Sequence, residues 1–480
     1  MDTPPTPDLP LEYGDPGHTP TPRPQAGNGL RLAVGGAIAV LVAVVGFIAV
    51  SQFSTASGAD SPEAAVQALA DAINDEDLDA VTEALVPGER DALADPIDDL
   101  LAELGRIGIL TTGIDTSTIP GLDLEIIDLS MLPTSIADDL ATVRVTGTLR
   151  ATFFGRELPF GQALIETSGD TGLDLDNIPS PPPTPLDITL ATVRRDGSWY
   201  VSIAYTIAEL QRTETGWPLP DPSQALEPQG AESPEAFVEA FVAAAEGLDI
   251  ASLIAQLNPG EAEAAHRYAP SFLLNNASSW AEGNTTIEIS DLEYRIDVDG
   301  DWADVHIDTM TMVTTQDDEW MGVMTLTTRY ADGCVNSHAT YEDMDESDQY
   351  DDGYEPFLPP GYTLEDDGSL TVCPVDGSPS GTLGILGAGL LGGGASPPTL
   401  GLANHDGRWY LSPTRTIANQ LLTALRQTDD GAGAELIRSM FMPWGSTGFE
   451  TTFVETGEEI TATTVIVSQA EVTDTTLAEE

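Results

Sequence analysis

The strongest constraint on this chain is that it repeats itself. Ser61-Pro62-Glu63-Ala64 returns as Ser233-Pro234-Glu235-Ala236, and Pro87-Gly88-Glu89 returns as Pro259-Gly260-Glu261, both 172 positions later. Residues 61–89 align with 233–261 without a gap, and twelve of the 29 pairs are identical. A second block, Asp196-Gly197-Ser198-Trp199-Tyr200-Val201-Ser202, matches Asp406-Gly407-Arg408-Trp409-Tyr410-Leu411-Ser412. Thr206-Ile207-Ala208 and Thr416-Ile417-Ala418 follow in the same register, and Asp128-Leu129 and Asp291-Leu292 fall between the blocks. Matches at the start, middle and end in one order predict two copies of one domain, 61–212 and 233–428, joined by a linker at 213–232.

Each copy opens with a helix signal. Ser61 and Ser233 are N-cap residues, followed by proline at the first helical position and an acid next to it. Ala65, Ala68, Leu69, Ala72 and Ile73 fall on one helical face, as do Phe237, Ala240, Phe241, Ala244 and Leu248. A second helix is expected near 77–85 and 249–257, stopped by Pro-Gly, with more helical sequence at 91–104 and 262–280. The pattern then changes to period two, through Val143, Val145, Gly147 and Leu149 and again, more loosely, through Val305, Ile307 and Met310. Asp196-Gly197, Asp299-Gly300 and Asp406-Gly407 read as hairpin turns leading into tryptophan-bearing strands. Trp199, Tyr200, Trp409 and Tyr410 are the expected repeat core. Helices followed by an antiparallel sheet make an α+β fold.

These features resemble the nuclear transport factor 2-like superfamily, in particular its exported, membrane-anchored bacterial versions. The likeness rests on the helical opening, the meandering sheet and the closing Asp-Gly-x-Trp-Tyr-(Val/Leu)-Ser strand. It covers about 61–212 and 233–426. The resemblance implies two tandem cone-like domains, each with a curved antiparallel sheet over its helices. Some members are isomerases, dehydratases or ligand binders and many exported ones are non-catalytic. No catalytic motif of an enzyme member falls on this sequence.

Ahead of the repeats, Leu32 to Val50 is 19 residues without a charge. As a helix it reaches about 28 Å, close to the hydrocarbon thickness of a bilayer. Arg23 and Arg31 precede it and the next base is Arg90, which places the N-terminus in the cytoplasm and the bulk outside. A transmembrane helix is therefore expected at 31–53, after a disordered cytoplasmic tail at 1–30 that carries eight prolines. The competing reading is a signal peptide cut near Ala56, which exports the rest equally. The chain has 79 acids and 17 bases, all arginine, for a net charge of -62. Such a surface repels phosphate backbones, which excludes nucleic acid as a partner, and it opposes attachment to anionic lipid.

The second copy is longer by about 48 residues, expected as an insertion at 330–400. Cys334 and Cys373, the only cysteines, lie within it, and an exported location predicts that they pair. Tyr341 to Glu355 holds eight acids and no base. Asp343, Asp345 and Asp351 are spaced as in a calcium loop, yet Asp348 and Tyr354 stand where that loop requires Gly and Glu, so calcium is a weak candidate beside a plain solvated loop. Gly387-Ala388-Gly389-Leu390-Leu391-Gly392 fits a dinucleotide pattern but lacks the strand-to-helix context and is discounted. The end of the chain, 429–480, reads as an extension with an acidic tail.

No nucleophile elbow, zinc-protease motif or catalytic Cys/His pair occurs. The one weak catalytic candidate is His306 with Asp304 and Asp308, all on one face of a strand. The expected function is a single-pass, membrane-anchored, extracytoplasmic protein with two binding or assembly modules, more readily non-catalytic than enzymatic. Its expected partners are the bilayer, through 32–50, and an extracellular protein or small ligand, with no obligatory cofactor. A pocket enzyme or small-molecule binder, and a calcium-dependent surface protein, stand as alternatives.

Overall fold

A computed structural model describes residues 58–114, 119–162, 165, 180–281, 285–318, 322–341, 362–365, 368–373, 399–426 and 428. The tail at 1–30, the span expected at 31–53, most of the acidic loop, the glycine-rich run and the extension at 429–480 lie outside the described residues. Among the described residues no helix is long and apolar enough to cross a membrane. They form helices and antiparallel sheets, as the α+β reading expects.

The first helices start where the sequence places their caps. Extended Ser61 accepts the Ala64 N–H on its hydroxyl and opens α1 (Pro62–Asn74), while Asp77 accepts from Ala80 at the head of α2 (Leu78–Glu83). The third helix, α3 (Pro87–Arg106), begins four residues earlier than the periodicity suggests. The reason is that Pro87, lacking an N–H, suits a first helical turn, so Pro-Gly ends one helix and starts the next. Four strands follow: β1 (Leu122–Ala137), β2 (Leu140–Phe153), β3 (Thr184–Arg195) and β4 (Ser198–Ser202), then α4 (Ile203–Thr215). Their sheet order is β1-β2-β3-β4.

Residues from 230 onward run through a comparable series. Ser233 and Asp249 cap α5 (Pro234–Glu246) and α6 (Ile250–Ala255), followed by α7 (Glu263–Ala281). Next come β5 (Thr286–Asp299) and β6 (Trp302–Asp318). Four further strands, β7 (Gly322–Ala331), β8 (Cys334–Tyr341), β9 (Tyr362–Leu364) and β10 (Leu370–Val372), have no counterpart among the described residues before 216. The chain closes with β11 (Thr399–His405), β12 (Arg408–Leu411) and α8 (Pro413–Arg426). Here β5 and β11 flank β6, and β12 lies outside β11. The extra strands start at Gly322, ahead of the 330–400 window, because the far half of β6 takes β7 as its hairpin partner from Asp318↔Gly322 onward.

The shared dipeptides have local jobs. Asp128 and Asp291 take positive φ of 55° and 51° where the β1–β2 and β5–β6 registers slip, so Asp-Leu marks a β-bulge that bends the strand. Asp196-Gly197 and Asp406-Gly407 both have positive φ and close their hairpins as two-residue turns. At the third expected turn the closing pair is Asp299↔Trp302, so Gly300-Asp301 forms the tip, one residue later than anticipated.

One face of each sheet packs on its opening helix. Val143, Val145 and Val201 meet Ala65 and Val66 of α1, and Ala303, Val305, Leu402 and Trp409 meet Phe237 and Val238 of α5. Tyr200 and Tyr410 are buried as well, while Trp199 is partly buried against the first core. The helices join the two series: α3 packs on α8, and α4 on α7. Leu425 enters the core around Leu93 and Ile97, and Ala264 and Tyr268 enter the cluster around Tyr205. Gly88 and Gly260 meet at this junction, where a Cβ on Gly88 would lie 1.8 Å from the Gly260 carbonyl oxygen.

Candidate functional site

The repeated polar residues hold the framework together. Glu89 accepts from the Ser202 hydroxyl and from the Ile203 and Ala204 N–H groups, so it sits on the head of α4. Glu261 accepts from the Thr414 N–H at the head of α8. Thr206 and Thr416 each accept a strand N–H, from Ala191 and Gly401, both at 2.9 Å. Burial pushes both glutamates above the usual carboxylate range. The hydrogen bonds from Ser202 and Ser412 work the other way, and the charge of Glu261 adds to the rise at Glu89.

Arginine supplies the polar ties between the two series. Arg106 donates to the Leu425 and Thr428 carbonyls at 2.7 and 2.9 Å, and Arg426 reaches Asp99 at 3.0 Å and Glu103 at 3.3 Å. On the other side Arg267 pairs with Asp139 and Arg195 with Glu263. Buried Glu209 accepts from Arg212 and from the Tyr268 hydroxyl. The planar guanidinium, with five donors, can serve two acceptors at once, which an ammonium does with less directional control.

The opening of most chemical interest lies beside the middle of β6. Among the described residues the β11 ladder on β6 runs to Thr399↔His306, and the β7 ladder on the same edge begins at Tyr330↔Met310. Ile307, Asp308 and Thr309 therefore face no strand on that edge among the described residues. The corresponding stretch of β2, Val145 to Gly147, is paired throughout with Leu186 to Ile188 of β3. A half-open cleft of about 540 Å³ lies along this stretch of β6. Its lining includes His306, Asp308, Tyr330, Asp332, Arg295 and Arg426.

The weak catalytic candidates are divided by this arrangement. Asp304 lies beyond the cleft lining and is held by Arg415 Nε at 2.9 Å and Asn419 Nδ2 at 2.7 Å, which tie β6 to α8. Burial disfavours its charge, but Arg415, with Asn419, outweighs that and holds the carboxyl below its usual range. His306 and Asp308 do line the cleft. His306 places Nε2 3.2 Å from Asp297 and Nδ1 3.3 Å from the Thr399 hydroxyl. Asp308 is skipped at the second of two register changes between β5 and β6, with Arg295 3.5 Å away. Tyr330 is 5 % exposed. Burial, reinforced by the Asp308 and Asp332 carboxylates, pushes its hydroxyl up to about 12.

Periodicity alone missed Tyr330 and Asp332. Asp332-Gly333 is a turn pair of the same kind as the others, with φ of 54° and 78°, and was the available signal. Cys334 and Cys373 form a disulfide with their Cα atoms 4.3 Å apart, joining the start of β8 to the residue after β10. Asp343, Asp345 and Asp351 lie outside the described residues, and no group of three metal-ligating side chains is placed together among those described.

No protein-family model matches the chain, and no curated protein or solved structure is significantly similar to it.

Proposed function

We propose that this chain is a single-pass, membrane-anchored extracytoplasmic protein. In this reading, two tandem modules of the cone-like, nuclear transport factor 2-like kind serve binding and assembly rather than catalysis. The observation that carries it is the use of the repeated residues. Ser61/Ser233, Asp77/Asp249, Glu89/Glu261 and Thr206/Thr416 all cap helices or tie them to strands. Duplication has kept a framework, and the added strands β7 to β10 are where the two series differ most among the described residues. The cleft along β6 favours a second reading, recognition of a small ligand beside His306 and Asp308.

Fractionation of cells making the full chain, or the chain without residues 32–50, tests the anchor. The full chain should stay with membranes through an alkaline carbonate wash, and the shortened one should not. A full chain recovered in the soluble fraction would overturn the proposal.

A further inference from the structure

We infer that a cleft between α5 and α6 binds a short, unbranched molecule with an ammonium group at one end and a neutral hydroxyl or amide N–H at the other. The cleft holds about 560 Å³, a size common among small-ligand sites, and all its lining residues lie between 229 and 256. Its two walls differ in chemistry. On α5 and its cap, Ala240, Ala243, Ala244 and Gly247 fall three and four positions apart and present a slim apolar face, with buried Phe237 beside them. On α6 and its caps, Asp249, Ser252 and Gln256 follow one another along a single face. The Ser252 hydroxyl donates to Asp249 at 2.7 Å, and the Gln256 N–H donates to the Ser252 carbonyl at 3.1 Å.

Gln256 is the residue that points to a ligand. It is 6 % exposed, and its Oε1 is buried with no hydrogen-bond partner among the described residues. A neutral O–H or N–H donor satisfies such an acceptor without burying a charge. Asp249, at the exposed end of the same wall, is the only charged residue of the lining. Ser252 holds its carboxyl below the usual range, and an ammonium group complements it. Seven positions of helix separate the two acceptors by roughly 10 Å, about the reach of a six-carbon chain with a donor at each end. The first copy has a different set of residues here. Asp71 and Asp75 stand where the second has Ala243 and Gly247, and Ala80 and Ala84 stand where it has Ser252 and Gln256. Polar and apolar walls are thus exchanged beside caps, Asp77 and Asp249, that both copies keep.

The inference rests on the binding reading above and gives it a separate cleft and a ligand class, but its failure leaves the membrane fractionation result untouched. Calorimetric titration of the full chain in detergent with 6-amino-1-hexanol, hexylamine and 1-hexanol tests it. The amino alcohol should bind about tenfold more tightly than either molecule with a single donor group. Gln256→Ala, which installs the first copy's residue, should reduce it to the affinity of hexylamine and leave hexylamine unchanged. Asp249→Ser keeps a helix-capping hydroxyl and should weaken both amines while leaving 1-hexanol unchanged. Equal binding of the amino alcohol and hexylamine, the result of general attraction to a chain of net charge -62, would overturn the inference. So would an absence of binding by all three.

Discussion

Glu89 and Ser202, 113 positions apart, share a hydrogen bond that ties the start of α3 to the head of α4. The same glutamate accepts the Ile203 N–H at 2.8 Å. One carboxylate therefore covers the orphan donors of a helix N-terminus and fixes where that helix leaves the sheet. Its repeat partner, Glu261, does the same for α8 through Thr414.

Burial gives this arrangement a pH signature. Both carboxyls are held above their usual range, so the folded chain retains protons that the unfolded chain releases. Their contribution to stability is full below the unfolded carboxylate pKa of about 4.3, and it is lost as pH rises through the elevated values. Glu89→Gln cannot ionise. Its stability relative to wild type should therefore rise as pH increases from about 4 to about 8. Urea melts at several pH values measure this, and a difference that does not change with pH would count against it.

The junction between Gly88 and Gly260 is asymmetric despite the repeated motif. A Cβ on Gly88 would meet the Gly260 carbonyl oxygen, whereas one on Gly260 would find its nearest atom, Asn258 Oδ1, at 3.4 Å. Gly88→Ala should therefore cost roughly 1–3 kcal/mol, the range for overpacking, and Gly260→Ala should be near neutral. Denaturant midpoints of the two variants would decide it. Equal losses would contradict this geometry.

Asp304 is a structural anion in this account. Asp304→Ala leaves Arg415, which also stacks 5.2 Å from the Trp302 ring, without its carboxylate. Because the pair is only partly exposed, the loss should be about 1–3 kcal/mol. Thermal unfolding reads the loss, and an unchanged midpoint would contradict this structural role.

The Cys334–Cys373 bridge closes a loop with a sequence separation of 39. In the chain-entropy picture that is worth roughly 4 kcal/mol. The Cys334→Ser, Cys373→Ser double variant should lower the denaturant midpoint and raise amide exchange in β8 and β10 first. Unchanged exchange there would mean that the ladder from Ser337 to Val335 needs no such clamp.

Local chemistry made much of the framework legible in the sequence. Ser-Pro-Glu named the N-caps, Asp-Gly named the hairpins, and period two named the strands, because each signal depends on residues a few positions apart. Cys334 and Cys373 were legible for a different reason, being the only two thiols of a chain expected to be exported. The junction was not legible. Glu89 finds Ser202, and Arg106 finds the end of α8, only after distant segments have packed. The cleft beside β6 was hidden for the same reason: Tyr330 and Asp332 join Asp308 along it only once β7 has paired with β6.

The central claim, a folded body presented beyond the membrane, is tested most directly by trypsin treatment of intact cells expressing the full chain. Exposed arginines such as Arg144 and Arg295 offer cleavage sites once folding is loosened by mild heating. The account predicts loss of the large fragment without cell lysis, together with survival of a cytoplasmic marker protein. Survival of the large fragment until the cells are opened would contradict it.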